Sequence, residues 1–170
     1  MARKIRRKRK ARKLLKRRTR RFLVVIDDSP EAKVSLHFAS ARAAPVERGT
    51  LVLFHAIAPG GFQHWVAVED RMKDEARLEA RDLMKGIAGR VEAEYGIKPE
   101  VVIREGNPKE ELLKYIGETE DLFALFLGAH PQGEPGPLVD YFSGPLVGSL
   151  KCPVVIVPGS LTGAEIDAMA

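Results

Sequence analysis

An α/β fold, a mostly parallel sheet with helices on both faces, is predicted by three features of this 170-residue chain. Short apolar runs recur along it, continuous rather than alternating, as strands covered on both faces read. Longer stretches with helical periodicity separate those runs. The resulting order β-α-β-α-β-α-β-α-β requires right-handed crossovers and hence parallel neighbours.

The first strand is Phe22–Ile26 (FLVVI), stopped by Asp27 and Asp28. Ser29-Pro30-Glu31 then reads as a cap followed by proline in the first turn, opening a helix to Ala44. Val34, Leu36, Phe38, Ala39 and Ala41 give that helix one broad apolar face. Leu51–Phe54 is the second strand, and Glu69 to Tyr95 is a long amphipathic helix stopped by Gly96 and Pro99. Val101–Ile103 is a weaker third strand. Asn107-Pro108 opens the third helix, with Asn107 as its cap and Glu110 and Glu111 in its first turn. Leu122–Leu127 is the fourth strand, and Val154–Val157 the fifth. A short helix from about Pro145 to Leu150, capped by Ser143, is expected between them. Ligands of such sheets bind past the carboxyl ends of the strands, where strand order reverses. That directs attention to Asp27-Asp28, Gly106 and Gly128-Ala129-His130.

Charge divides the chain in two. Residues 1–21 hold 14 of the 28 Lys and Arg and no acidic residue. The remaining 149 residues carry 14 Lys and Arg against all 23 Asp and Glu, a balance of −9. The domains are therefore a basic arm (1–21), a folded body (22–158) and a C-terminal tail (159–170). Three readings fit the arm: a solvated extension, a nucleic-acid tether, or a contact for anionic lipid. A tether would use Arg6, Arg7, Lys8, Arg9 and Lys10, then Arg12, Lys13, Lys16, Arg17 and Arg18, against phosphates. No aromatic residue precedes Phe22, so the arm offers no base stacking. Ile5, Leu14 and Leu15 are too few for a membrane-facing stripe. No apolar signal region follows the arm, and no run of about 18 apolar residues occurs. The Arg-rich, acid-free start also fits an organellar transit peptide, although it lacks Ser. A single cysteine, Cys152, excludes an internal disulfide and fits a reducing, cytoplasmic setting. The four histidines have no metal-ligand spacing, so no metal is expected.

The body resembles the universal stress protein family. The segments that carry the likeness are VVIDDSPEAKVSLHFA (24–39), TLVLFHAI (50–57), IREGNPKEELLKYIGE (103–118), DLFALFLGAH (121–130) and KCPVVIVP (151–158). The resemblance implies a three-layer α/β/α open sheet of five parallel strands in the order 3-2-1-4-5, of the Rossmann-like, adenine-nucleotide-hydrolase-like type. It also implies a homodimer joined through the last strand, here Val154, Val155, Ile156 and Val157. An apolar edge strand is a liability that pairing with a second copy would cover.

Members of that family divide into ATP binders and non-binders. The binders resemble one another in a loop after the fourth strand, Gly-x2-Gly-x9-Gly-Ser/Thr. Gly128 matches its first glycine, but Pro131 stands at the second, and Tyr141 and Phe142 stand where Gly-Ser/Thr belongs. Ser143-Gly144 lies nearby in reversed order. A phosphate cradle needs inward N–H donors, and Pro131, Pro135 and Pro137 have none. Glu134 and Asp140 add negative charge. The expectation is a non-ATP-binding member with no cofactor. The alternative is a nucleotide-binding regulatory module using Asp27, Gly128 and Ser143 with an altered loop. By resemblance Asp27 contacts the adenosine part of a nucleotide, but a carboxylate there equally serves to cap the following turn. Gly128 reads more as a source of backbone freedom at the strand end than as a ligand contact. No G-x4-G-K-[ST] or G-x-G-x-x-G occurs, and no Ser-His-Asp set suggests itself, so catalysis is not expected.

Overall fold

The protein's structure is a computed structural model that describes residues 19–59 and 66–169, with side chains from residue 71 onward in the second stretch. The arm cations from Arg6 to Arg18 lie outside the described residues. Five strands form one parallel sheet: β1 (Arg20–Val25), β2 (Gly49–Ile57), β3 (Glu100–Glu105), β4 (Leu122–Ala129) and β5 (Val154–Pro158). Their order is β3-β2-β1-β4-β5, as the resemblance implied. The helices are α1 (Pro30–Ala43), α2 (Val66–Tyr95), α3 (Pro108–Glu118), α4 (Pro137–Ser143) and α5 (Gly163–Met169), with a 3-10 turn at Pro145–Ser149.

Alternation along β1 builds both cores. Phe22 and Val24 face Ala39, Met84, Ile87 and Val91 of α1 and α2. Leu23 faces the opposite layer, with Leu112 and Ile116 of α3 and Val139 and Phe142 of α4. The central strands β1, β2 and β4 are thus covered on both faces, which explains their unbroken apolar runs. The helix starts follow their local chemistry. The Ser29 hydroxyl accepts from Ala32 N at 3.2 Å, and the Asn107 side-chain Oδ1 accepts from Lys109 N at 3.0 Å. Gly96, at φ 67°, ends α2.

Four differences from the sequence reading have physical causes. β1 starts at Arg20, inside the stretch counted as arm, because Arg21 pairs with Glu100 at 3.1 Å and Arg20 stacks over Phe123. The prolines after β4 mask a helix: Pro137 begins α4, a position where proline is favoured, and Val139 and Phe142 are buried. Ser143 is therefore the last residue of α4 and caps nothing; Gly144 precedes the 3-10 turn. The tail contains α5, started by a reciprocal pair in which Thr162 N donates to Glu165 Oε2 and Glu165 N donates to Thr162 Oγ1. Its Ile166 is 2% exposed.

The apolar face expected of α1 is also different. Ala32, Ser35, Ala39, Ser40 and Ala43 are its buried residues, while Val34, Leu36 and Phe38 are only half-buried. Small residues let α1 lie close to the sheet. Ser35 and Ser40 satisfy their hydroxyls on the carbonyls of Ala32 and Leu36 within the same helix.

Candidate functional site

Strand order reverses between β1 and β4, and a crevice opens past their carboxyl ends. Asp27 follows β1 directly. Its Oδ1 accepts from Ser29 N at 2.9 Å and from the Ser29 hydroxyl, and Ser29 in turn caps α1. The carboxylate thus has the turn-stabilising role, and it also lines three cavities, two of which adjoin at Pro137 and Leu138 of α4.

The smaller cavity, about 90 Å³, lies between β1, β4 and the start of α1. Gly128, Pro135, Gly136 and Pro137 form one side, and its charged side chains are Asp27 and Glu31. Gly128 is needed here for close approach rather than for an unusual backbone angle. A Cβ at this position would sit 2.2 Å from the Glu31 carbonyl oxygen. The segment that follows folds on itself: His130 N donates to Pro135 O at 3.1 Å, and His130 Nδ1 reaches Gln132 O at 2.6 Å. His130 is exposed and lines neither cavity. Ser143, at the far end of α4, is exposed and lines neither cavity, so the structure does not bring it to Asp27 and Gly128.

The larger cavity, about 350 Å³, lies over the ends of β1 and β2 and is closed by the starts of α3 and α4. Val25, Phe54, Pro108 and Leu138 give it apolar walls. Four polar side chains join them: Asp27, His55, Asn107 and Lys109. His55 Nδ1 lies 2.7 Å from the Ile26 carbonyl oxygen, which can only accept, so His55 donates through Nδ1. The Lys109 ammonium rests 5.5 Å from the centre of the Tyr141 ring on α4. Sequence reasoning missed His55 and Lys109. The available signal was their position, one at the carboxyl end of a parallel strand and one in the first turn of the helix after β3.

A bidentate ion pair fixes α2 to the same end of the sheet. Arg77 Nε donates to Glu105 Oε1 at 2.6 Å and Nη2 donates to Oε2 at 2.9 Å. The Arg77 hydrogen bonds hold the Glu105 carboxyl below the ordinary glutamate range and raise the guanidinium. Elsewhere, burial pushes the Cys152 thiol up, and burial with the Glu94 hydrogen bond lifts the Tyr95 hydroxyl to about 12. Among the described residues there is no His, Cys, Asp and Glu cluster able to hold a metal ion. Nor is any described helix long and apolar enough to cross a membrane.

A five-stranded, doubly wound sheet with a crevice at its switch point defines a Rossmann-like α/β domain. The model of the Universal stress protein family matches residues 18–158. The chain belongs to that family. Universal stress protein UspA from Lactobacillus plantarum is similar in structure, with a TM-score of 0.63 and 18% identity over 82% of this chain and 98% of that one. A universal stress protein in complex with cAMP gives a TM-score of 0.56 and 20% identity, covering 83% and 98%. A family protein from Arabidopsis thaliana with AMP bound gives 0.57 and 14%, covering 82% and 91%. At these identities the likeness shows the fold alone. No curated protein matches the chain in sequence.

Proposed function

We propose that this protein is a non-catalytic, cytoplasmic stress-response regulator that works as a homodimer. Its basic arm tethers it to a polyanion, nucleic acid above all, and it does not hold ATP by the family's glycine loop. The observation that carries this reading is the space beside Gly128. It measures about 90 Å³, presents Asp27 and Glu31, and is walled by Pro135 and Pro137, which have no N–H. A triphosphate finds little room there, gets no N–H from Pro135 or Pro137, and meets two carboxylates. The expected result is an ATP dissociation constant no tighter than about 100 μM, or roughly −5.5 kcal/mol, in calorimetry. Micromolar binding that disappears in Asp27→Ala would refute it, and nucleotide turnover above buffer background would refute the absence of catalysis.

Support for the dimer comes from β5. Among the described residues it pairs only with β4, and Ile156 on it is 42% exposed. Val157 is buried in the core and Val155 packs against it, so Ile156 is the outward contact of the four residues Val154–Val157. The tether follows from charge. Deleting residues 1–18, which stops short of β1, leaves 16 Lys and Arg against 23 Asp and Glu, a balance of −7 that repels nucleic acid. Loss of DNA binding on this deletion is expected. Retention by the truncated body would refute the tether.

A second reading, a nucleotide-binding regulatory module, is favoured by the 350 Å³ cavity. It lies within the size range of small-molecule sites and combines apolar walls with a few convergent polar groups. The solved structures with cAMP and AMP bound share its fold.

A further inference from the structure

A bulge at the amino end of β4 turns an aromatic ring out of the core. Arg21 of β1 is level with Leu122, but Phe22 is level with Ala124, so Phe123 has no partner across the ladder. Alternation breaks at the same point. In a regular strand Phe123 would share the face of Leu125 and Leu127, which pack in the layer of α3 and α4. Instead Leu122 packs with that layer, and the Phe123 ring meets Phe22 of the other, with centroids 4.8 Å and planes 32° apart. Phe123 is 47% exposed, whereas Phe22, Phe54, Phe126 and Phe142 are buried. Bulges re-aim a side chain in this way, and in a parallel pair they are rare.

The corner around that ring is the root of the arm. Arg20 is exposed, sets its guanidinium 5.8 Å from the ring centre, and forms no ion pair among the described residues. Arg21 beside it is spent on Glu100 at 3.1 Å. Two backbone bonds hold the root in place: Arg20 N donates to Arg48 O at 3.0 Å, and Arg21 N donates to Asp121 O at 3.4 Å. Both acceptors belong to non-glycine residues of positive φ, 64° at Arg48 and 67° at Asp121. One half-exposed ring is too small for an apolar protein contact, which takes several hundred Å². With Phe22 backing it, the ring offers room for one flat partner, next to an unpaired cation. An unpaired nucleobase has that shape, and its own phosphate brings the charge that Arg20 calls for.

We infer that Phe123 is a stacking platform for an unpaired base, with Arg20 on the adjoining phosphate, so that the protein holds single-stranded nucleic acid tighter than duplex. This rests on the tether reading above and names the form of nucleic acid it serves. The arm has no aromatic residue and attracts either form through charge. The body adds a contact that only a base free of its neighbours reaches, because the faces of duplex bases are already covered by stacking. Stacking neutralises no phosphate, so the ring adds affinity without steepening the salt dependence.

The test is fluorescence anisotropy on the full-length protein with three labelled probes of equal length: oligo-dT, the same strand without its bases, and a duplex. Oligo-dT is expected to bind about tenfold tighter than the abasic strand, which carries the same phosphates. Phe123→Leu keeps apolar bulk but no ring. It lowers oligo-dT to the abasic level, leaves the duplex unchanged, and shows the same loss at low and high salt. Phe123→Trp keeps or strengthens the preference. The abasic comparison uses the wild type, so it decides the matter even if melting shows that Phe123→Leu does not fold. Equal binding of oligo-dT and the abasic strand overturns the platform while the tether stands. So does a Phe123→Leu variant that keeps the wild-type preference, or one that loses single strand and duplex alike. Binding of none of the three probes overturns both.

Discussion

Gly128 is where the packing and ligand explanations of one residue can be separated. Its place at the start of the loop suggests a role in nucleotide binding, whereas the structure gives it a role in packing. A Cβ there would lie 2.2 Å from the Glu31 carbonyl oxygen, 2.5 Å from the carbonyl carbon and 3.0 Å from the Glu31 Cβ. Two of the three obstacles are backbone, so no rotamer change relieves the clash. The first turn of α1 has to move away from β4 by about an ångström, a carbon-to-oxygen contact distance requiring no less. That turn is tied down by Ser29, which caps Ala32 N and is itself held by Asp27.

Gly128→Ala therefore combines overpacking, about 1–3 kcal/mol, with weakening of a cap, about 1 kcal/mol. The expected loss is about 2–4 kcal/mol, a large part of the stability of an ordinary domain. For a domain of this size the melting temperature falls by roughly 6–12 °C. Differential scanning calorimetry without any nucleotide measures it. Gly86→Ala is the control, since that glycine lies inside α2 with nothing within 4 Å of an added Cβ. It should be neutral or stabilising by up to about 1 kcal/mol. If Gly128→Ala melts with the wild type, the close approach of α1 to β4 is wrong and the glycine serves a ligand.

Two further outcomes follow from the surface. Ile156→Lys should convert the proposed dimer to monomer in sedimentation at micromolar concentration with little change in melting; a variant that remains dimeric rules out the β5 contact. Acid should loosen α5: the backbone and hydroxyl hydrogen bonds from Thr162 hold the Glu165 carboxyl below its ordinary value of 4.5. A depressed folded value means its contribution is complete above the unfolded value and is lost as pH falls through the folded one. Hydrogen-exchange protection of Ile166 N, bonded to Thr162 O at 3.1 Å, should drop below about pH 4.5 and be insensitive to pH in Glu165→Gln. Equal pH dependence in both proteins would remove Glu165 from the account.

The strands were readable because burial on both faces leaves an unbroken apolar run, as in Leu51–Phe54, and the helix starts because Ser29-Pro30 and Asn107-Pro108 are local signals. The burial pattern of α1 failed for a non-local reason. The burial of Ala32, Ser35 and Ala39 instead of Val34 and Phe38 depends on how near α1 comes to β4, and no periodicity records that distance. α4 hides behind prolines that usually mark loops, although Pro137 at its first position is itself a helix signal. Thr162 and Glu165 form a capping pair that the sequence displays, in a stretch taken for a tail. At the site, Asp27 was legible from its place after β1. His55 and Lys109 were not, because they come from separate elements and meet only once α3 and α4 close over the sheet.

The three surfaces involved occupy separate parts of the sheet. The arm joins β1 at Arg20, the crevice opens at the other end of the same six-residue strand, about 20 Å away, and Ile156 lies on the β5 edge. A tether at the amino end of the sheet leaves the crevice open, so nucleotide binding and polyanion binding should be additive. Dimerisation is different, because a β5 pair brings two arms to one duplex. If each arm engages 5 phosphates, a single arm gives a log K against log salt slope of about −4.5 and two arms about −9. The second arm also binds at the high effective concentration set by the first. Ile156→Lys should then weaken DNA binding and halve the slope, although residue 156 is not in the arm. The substitution adds a positive charge, which by itself favours DNA, so a loss of affinity can come only from separating the two copies. A wild-type slope near −4.5, unchanged by Ile156→Lys, would show that each arm acts alone.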